Sequence, residues 1–150
     1  MSSRLPRTTA RDAPPMLAVL LREPFMTLTE RLTDALAAAG HPQVRPAHGA
    51  VFGFLDDAGT RVGVLADRAQ VTRQSMAELV AHLERHGYVE QVPDPADGRA
   101  RLVRATDRGR EVFALAREVT ARTEAAWTEH LGADRMAALR EALTDLRSAP

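Results

Sequence analysis

Residues 92–106 read VPDPADGRARLVRAT and place two prolines, two aspartates and a glycine directly before three closely spaced arginines. Proline and glycine favour the dihedral angles of turns, and Asp97 can accept a hydrogen bond from the backbone that follows it. Short strand-like runs flank the turn at residues 88–92 and 101–105. The stretch therefore predicts a β-hairpin with Arg99 at its tip.

A helix-turn-helix pattern precedes this hairpin. Residues 65–69 form a short helical segment, residues 70–71 a tight connection and residues 72–86 a longer helix. Thr72 can cap the longer helix, and Gly87 suits the left-handed position that ends one. The apolar residues follow the i, i+3, i+4, i+7 spacing of a single helix face: Met76, Leu79, Val80 and Leu83. In such motifs the second helix lies in the major groove of DNA.

The longer helix begins with Thr72, Arg73, Gln74 and Ser75. Arginine can pair bidentately with guanine, and glutamine with adenine, so these residues predict base readout. From this segment alone, the solvated face of an ordinary amphipathic helix is an equally good interpretation.

The hairpin changes that balance, because a hairpin directly after a recognition helix is the wing of a winged helix. Arg99 can then enter a narrow, electronegative minor groove, and Arg101 and Arg104 can contact phosphates. Residues 99–110 hold five arginines and one aspartate on a chain whose formal net charge is zero. We expect the aspartates of the turn, Asp97 among them, to orient Arg99. A surface hairpin whose charges only keep an edge strand soluble is the weaker alternative.

Several motifs of this region occur together in one known family. They are LA at residues 65–66, TRQSM at 72–76, LERHGYVE at 83–90, DPADGR at 94–99 and TDRG at 106–109. Over residues 44–119 the chain resembles the MarR family of bacterial transcription regulators, whose D-x-R and L-T-x-x-G patterns match the last two motifs. The resemblance implies a homodimer in which Asp97 and Arg99 build the wing tip and residues 72–76 read the major groove.

Apolar helices are predicted at both ends of the chain. Residues 17–39 have helical apolar spacing, with a kink or break expected at Pro24 and a stop at Gly40 and Pro42. A second, heptad-like seam consists of Met136, Leu139, Leu143 and Leu146. Both segments look too apolar for a small middle domain to cover, so we expect dimerisation, which also gives the two half-sites about 34–36 Å apart that two-fold readers need. Intramolecular packing of both segments onto one core is the alternative.

The predicted fold is mainly α with a small β wing: a winged helix-turn-helix flanked by N- and C-terminal dimerisation helices. The predicted division is a disordered basic tail at residues 1–13, an N-terminal dimerisation segment at 14–43, a winged helix-turn-helix domain at 44–106 and C-terminal dimerisation helices at 107–150.

Other classes of function lack their signatures. Without cysteine the chain has no disulfide, thiolate metal site or thiol switch. Walker, dinucleotide-binding and serine-hydrolase motifs are missing, so no enzyme and no cofactor is predicted. His82 and His86 have a spacing that can hold zinc, but we interpret them as solvated histidines and predict no metal site. The first apolar run is too short for a signal peptide, and no segment suits a membrane span, which favours a cytoplasmic protein without a membrane partner.

The sequence therefore predicts a homodimeric, sequence-specific DNA-binding transcriptional regulator, a repressor relieved by a small-molecule ligand. Its partners would be double-stranded DNA, a second copy and an effector. In the family that the chain resembles, ligands often bind between the dimer helices and the winged domain, where we expect Phe25, His48 and Phe52. One alternative is a winged-helix protein-interaction module, in which Arg99→Ala and Gln74→Ala leave DNA affinity unchanged. The other is a small enzyme with its site in the helical interface.

Overall fold

The structure is a computed structural model that describes residues 14–147 of the 150-residue chain. In chain order its elements are α1 (Leu17–Ala38), a 3-10 turn (Pro46–His48) that runs into α2 (Gly49–Phe52), α3 (Val62–Ala69), α4 (Arg73–Arg85), β1 (Val89–Asp94), β2 (Asp97–Ala105), α5 (Asp107–Leu131) and α6 (Ala133–Leu146). The predicted mainly-α fold with a small β wing is confirmed. The tail predicted for residues 1–13 lies outside the described residues.

A kink or break was expected at Pro24; helix α1 continues through this proline, so the helix does not break there. Proline deprives the carbonyl of Leu20 of its helical N–H donor. Both residues lie on exposed surface, where water can satisfy that carbonyl and the helix can continue. The expected stop is confirmed, because α1 ends at Ala38 and Gly40 follows with φ +89°.

One cluster of buried side chains joins the end of α1 to the winged domain. It draws on every element from α1 to α5, so that these elements pack as one body. Its members are Leu36, Val44, Val51, Leu65, Ala66, Met76, Val80, Leu83, Tyr88, Val89, Val103 and Val112.

The helix-turn-helix follows from local chemistry. Gln70 adopts the left-handed region, φ +54°, in the turn between α3 and α4. Thr72 then caps α4, because its Oγ1 accepts the N–H of Ser75 at 3.1 Å and satisfies one donor of the first turn. Gly87 follows α4 with φ +75°, as its residue type predicts.

The wing is the predicted antiparallel hairpin of β1 and β2, with strands that extend beyond residues 88–92 and 101–105. A third segment joins its base. Thr60, in the turn before α3, exchanges two backbone hydrogen bonds of 2.9 Å with Val103 of β2. The wing is therefore attached to the helix-turn-helix at its base as well as through the chain.

Helix α5 begins directly beneath the wing. Oγ1 of Thr106 accepts the N–H of Gly109 at 3.2 Å and donates to the carbonyl of Gly87 at 2.6 Å. A Cβ at Gly109 would lie 2.0 Å from the carbonyl oxygen of Tyr88. Only glycine allows this approach of helix to strand.

The first and last helices of the described chain have exposed apolar residues. Gly132, φ +87°, separates α5 from α6, and α6 has no buried residue. The seam leucines are exposed, and so are apolar residues in the first half of α1: Leu139, Leu143, Leu146, Leu17, Leu20 and Phe25. The winged domain therefore does not cover these segments. Within residues 14–147, no helix is long and apolar enough to cross a membrane.

Candidate nucleic-acid interface

The first turn of α4 presents the four polar residues predicted to read bases. Thr72, Arg73, Gln74 and Ser75 are all exposed. The Thr72 hydroxyl donates to Oγ of Ser75 at 2.9 Å, in addition to accepting the capping N–H. Ser75 therefore keeps its hydroxyl proton for an outside partner, whereas Thr72 uses its own within the helix.

Arg73 and Gln74 differ in how firmly they are held. The Arg73 guanidinium lies against the first turn of α3, where a Cβ at Gly63 would be 3.3 Å from Cζ of Arg73. Nε2 of Gln74 lies 3.5 Å from Oε1 of Glu78, at the limit of a hydrogen bond. Packing against α3 thus fixes the position of the Arg73 guanidinium, whereas the Gln74 side chain is free to turn towards a base.

Arg99 is exposed but does not lie at the tip of the wing. Asp94 pairs with Asp97, so that residues 95–96 alone form the turn and Arg99 follows inside β2, where the register shifts. The expected position at the tip is wrong, because the paired aspartates close the hairpin early. The predicted backbone bond is present, from the N–H of Arg99 to Oδ1 of Asp97 at 3.2 Å. Over residues 14–147 the Arg99 guanidinium has no hydrogen bond or ion pair and is available to a partner.

The aspartates of the wing hold Arg61, which no sequence motif indicates. Nε of Arg61 donates to Oδ2 of Asp94 at 2.7 Å, and its Nη2 lies 3.7 Å from Oδ2 of Asp97. The other oxygen of Asp94 accepts the N–H of Ala96 at 2.8 Å. This backbone bond, and then Arg61, hold the pKa of Asp94 below its usual range. The expectation that these carboxylates orient the Arg99 side chain is wrong, because Arg61 reaches them from the side of α3.

Arg101 and Arg104, predicted to contact phosphates, already have partners within the wing. Nη2 of Arg101 donates to the carbonyl of Gln91 at 2.5 Å. Nη2 and Nε of Arg104 lie 2.8 and 3.2 Å from Oε1 of Glu90, the residue opposite it in the sheet. Exposed ion pairs contribute only about 0–1 kcal/mol, so Arg104 can exchange Glu90 for a phosphate at little cost.

The three residues expected in a ligand pocket do not meet. Phe25 is 64% exposed on α1, and His48 is 2% exposed beside α4. Phe52 lines a cavity of about 290 Å³ together with Leu55, Asp56, Asp57, Ala105, Arg110 and Phe113. Only Phe52 of the three therefore contributes to a pocket of this size between α2 and the start of α5.

His48 belongs instead to a stack of three histidines. Its ring lies 4.7 Å from that of His82, which in turn lies 4.5 Å from His86. Nδ1 of His48 accepts the N–H of Arg45 at 2.8 Å. Burial, followed by His82, Arg45 and His86, lowers the pKa of His48 to about 4. The interpretation of His82 and His86 as solvated residues is wrong, because the 3-10 turn brings His48 against them. Within residues 14–147, no group of three or more His, Cys, Asp or Glu side chains could hold a metal ion.

An apolar groove of about 510 Å³ lies where α1, α5 and α6 meet. It contains the first three residues of the predicted seam, Met136, Leu139 and Leu143, and also Trp127 of α5. The helices at the two ends of the chain thus form one apolar surface, separate from the exposed start of α4.

Comparison with known sequences agrees with this architecture. A profile described as the MarR family matches residues 43–100. The transcriptional regulator HosA of Escherichia coli is 31% identical over 96 residues, which cover 64% of this chain and 68% of HosA. The transcriptional activatory protein BadR of Rhodopseudomonas palustris is 46% identical over 55 residues, which cover 37% of this chain and 31% of BadR. The chain thus spans about a third of the length of BadR.

Comparison with solved structures extends the similarity to the flanking helices. The transcriptional repressor CouR, bound to a 23-mer DNA duplex, matches with a TM-score of 0.72 at 26% identity, over 97% of this chain and 99% of that one. PcaV of Streptomyces coelicolor, in complex with its natural ligand, matches with a TM-score of 0.67 at 25% identity, over 91% of this chain and 98% of that one. With its winged helix-turn-helix and flanking helices, the chain belongs to the MarR family of DNA-binding transcriptional regulators.

Proposed function

We propose that this protein is a homodimer that binds a two-fold operator in double-stranded DNA, represses transcription and leaves the DNA when a small molecule binds. The observation that carries the DNA-binding part is that the exposed start of α4 and the guanidinium of Arg99, which has no partner among residues 14–147, belong to one packed body. The proposed division assigns residues 44–106 to DNA binding and residues 14–43 and 107–150 to dimerisation.

Site-specific variants test the roles of the two DNA-contacting elements. Arg99→Ala removes a charge and is expected to weaken binding to all sequences about tenfold, whereas Gln74→Ala alters preference among sites. Arg135→Ala on α6 is the control, because it removes the same charge outside the winged domain. The assay is fluorescence anisotropy with the DNA upstream of the gene and with a scrambled duplex, at two salt concentrations.

Selective binding that weakens with salt supports the proposal. Equal, uniform losses from Arg99→Ala and Gln74→Ala would contradict the assigned roles. If a random DNA pool yields no selected sequence and neither variant changes affinity, the winged helix is a protein-interaction module instead.

The dimer is supported by the exposed seam and by the groove between α1, α5 and α6. Large apolar surfaces rimmed by polar residues mark interaction sites in soluble proteins. Leu143→Glu places a charge inside the groove and is expected to give monomers in sedimentation experiments. Ala138→Glu, exposed on α6 and outside the groove lining, is expected to leave the dimer intact. Loss of the dimer in both variants, or in neither, would contradict an interface at the groove.

A repressor relieved by a ligand is supported by the similarity to CouR, a transcriptional repressor, and to PcaV, whose structure contains its natural ligand. The cavity beside Phe52 can receive a small molecule with an apolar ring, because Leu55 and Phe113 line it, and a polar group, because Arg110 does. A screen for compounds that release the DNA tests this part. Phe52→Ala should change the response to such a compound while DNA affinity without it is kept.

A further inference from the structure

The Arg61 side chain links two segments that are 33 residues apart in the chain. Arg61 directly precedes α3, and its backbone is extended there. From this position Nε and Nη2 reach the same oxygen, Oδ2 of Asp94, at 2.7 and 2.5 Å. Two nitrogens on one carboxylate oxygen make a charge-assisted contact with a defined direction.

Asp94 is the fixed half of this contact. It is 7% exposed, and its two carboxylate oxygens accept hydrogen bonds from different partners. Oδ1 accepts the N–H of Ala96 and shapes the turn of the wing, while Oδ2 receives Arg61. Because these bonds favour the ionised carboxylate, the link is intact at neutral pH.

Thr60 and its neighbour Arg61 attach the wing to the segment before α3 at two positions, one at the base of the hairpin and one near its turn. Thr60 holds the base of β2 through its backbone bonds with Val103. Arg61 holds the far end of β1. Arg99 lies where the register between the strands shifts, so the regular ladder does not fix its backbone. The orientation of that segment therefore depends on contacts from outside the hairpin.

We propose that Arg61 is a positioning residue for DNA binding, which through Asp94 fixes the angle at which the wing presents Arg99 to the duplex. The inference rests on the proposed role of the wing in DNA binding. Arg61 acts here through Asp94 and does not itself contact DNA.

The direction in which one substitution changes DNA affinity distinguishes this positioning role from a purely electrostatic effect. Asp94→Asn removes a negative charge from a surface that meets DNA, so charge alone predicts tighter binding. Loss of the link to Arg61 predicts weaker binding, by about the tenfold expected for Arg99→Ala. The asparagine keeps an oxygen that can accept the Ala96 N–H, so the turn is preserved. Asp67→Asn, which changes an exposed acid on α3, is the control for charge and should bind DNA as tightly as the wild type or tighter.

Hydrogen exchange tests the link without any DNA. In full-length Arg61→Ala and Asp94→Asn proteins, the amides of the paired residues 91–92 and 101–102, next to the register shift, should exchange about tenfold faster, because local opening of the wing governs their protection. The amides of α4 should be unchanged, which also shows that the fold is intact. Unchanged exchange in the wing would overturn the proposal whatever the DNA experiments give.

A double-mutant cycle then tests the connection to Arg99. The probe is a duplex that the wild-type protein selects from a random pool. If Arg61 acts through the wing, Arg99→Ala should cost little more affinity in the Arg61→Ala background, since coupled residues are not additive. Arg61→Lys, which keeps the charge but not the two-nitrogen contact, should lie between Arg61→Ala and the wild type.

Fully additive losses from Arg61→Ala and Arg99→Ala would overturn the proposal and indicate that Arg61 contacts the duplex itself. Failure of the wild-type protein to select any duplex would instead refute the proposed function. The exchange measurement distinguishes these cases, because it reports how Arg61 holds the wing in the absence of DNA.

Discussion

Gly109→Ala provides a direct test of how α5 meets the wing. In an open helix this substitution stabilises a protein by about 1 kcal/mol, because alanine is the better helix former. At Gly109 the new Cβ would lie 2.0 Å from the carbonyl oxygen of Tyr88 and 3.1 Å from its carbonyl carbon. Ordinary contacts of this kind need about 3.4 Å or more, so the helix or the strand must move by more than an ångström.

The structure makes that movement costly. The carbonyl of Tyr88 also accepts the N–H of Thr106 at 3.1 Å, and Tyr88 itself is fully buried. Overpacking costs about 1–3 kcal/mol and a lost hydrogen bond about 1 kcal/mol, against the gain of about 1 kcal/mol in helix propensity. We expect Gly109→Ala to lower the free energy of unfolding by about 1–3 kcal/mol.

Urea unfolding followed by circular dichroism measures this change. Protein concentrations must be matched, because the stability of a dimer depends on them. Gly49→Ala is the control: Gly49 has helical dihedral angles, and its Cβ would meet nothing within 4 Å. It should stabilise the protein by about 0.5–1 kcal/mol. A Gly109→Ala protein as stable as the wild type would refute the close approach of α5 to Tyr88.

Two further predictions concern the histidine stack and the start of α4. Because His48 stays neutral in the fold down to a pKa of about 4 while the unfolded chain takes up its proton near pH 6.5, the free energy of unfolding should fall as the pH falls from about 6.5 to 4, by at most about 3 kcal/mol. His48→Gln should flatten this dependence in thermal unfolding between pH 7 and 4.5, and an unchanged slope would show that His48 does not cause it. Gly63→Ala should displace the Arg73 guanidinium, which lies 3.3 Å from the new Cβ, and change the sequences selected from a random DNA pool; an identical selection would mean that the placement of Arg73 does not matter for readout.

Elements whose signals are local could be predicted from the sequence. The cap at Thr72, the left-handed Gly87 and the stripe through Met76 each depend on residues within one or two turns. The hairpin could be predicted for the same reason. Its register could not, because pairing of Asp94 with Asp97 shortens the turn, and no local rule distinguishes this register from a longer loop.

The contacts that could not be predicted join distant parts of the chain. Arg61 reaches Asp94 across 33 residues. His48 reaches His82 only because the 3-10 turn packs against α4. Neither pair has a spacing that a periodicity analysis can detect. The surroundings of Phe25, which is exposed on α1, could not be predicted for a related reason: helical spacing gives the face of a residue on its own helix but not which element covers that face.

Helix α5 gives a physical reason why events at the proposed dimer surface could reach the DNA. Its first turn packs closely against the backbone of Tyr88, because Gly109 has no Cβ. Near its other end, Trp127 lines the groove with α1 and α6. A helix of 25 residues is about 37 Å long at about 1.5 Å per residue. A tilt of about 10° at the groove would displace the winged end by about 6 Å, a large change against the half-site spacing of about 34 Å. The contacts that lock α5 to the wing would carry that displacement to α4 and Arg99 together. A ligand that favours one tilt over another would therefore change DNA affinity without touching either element.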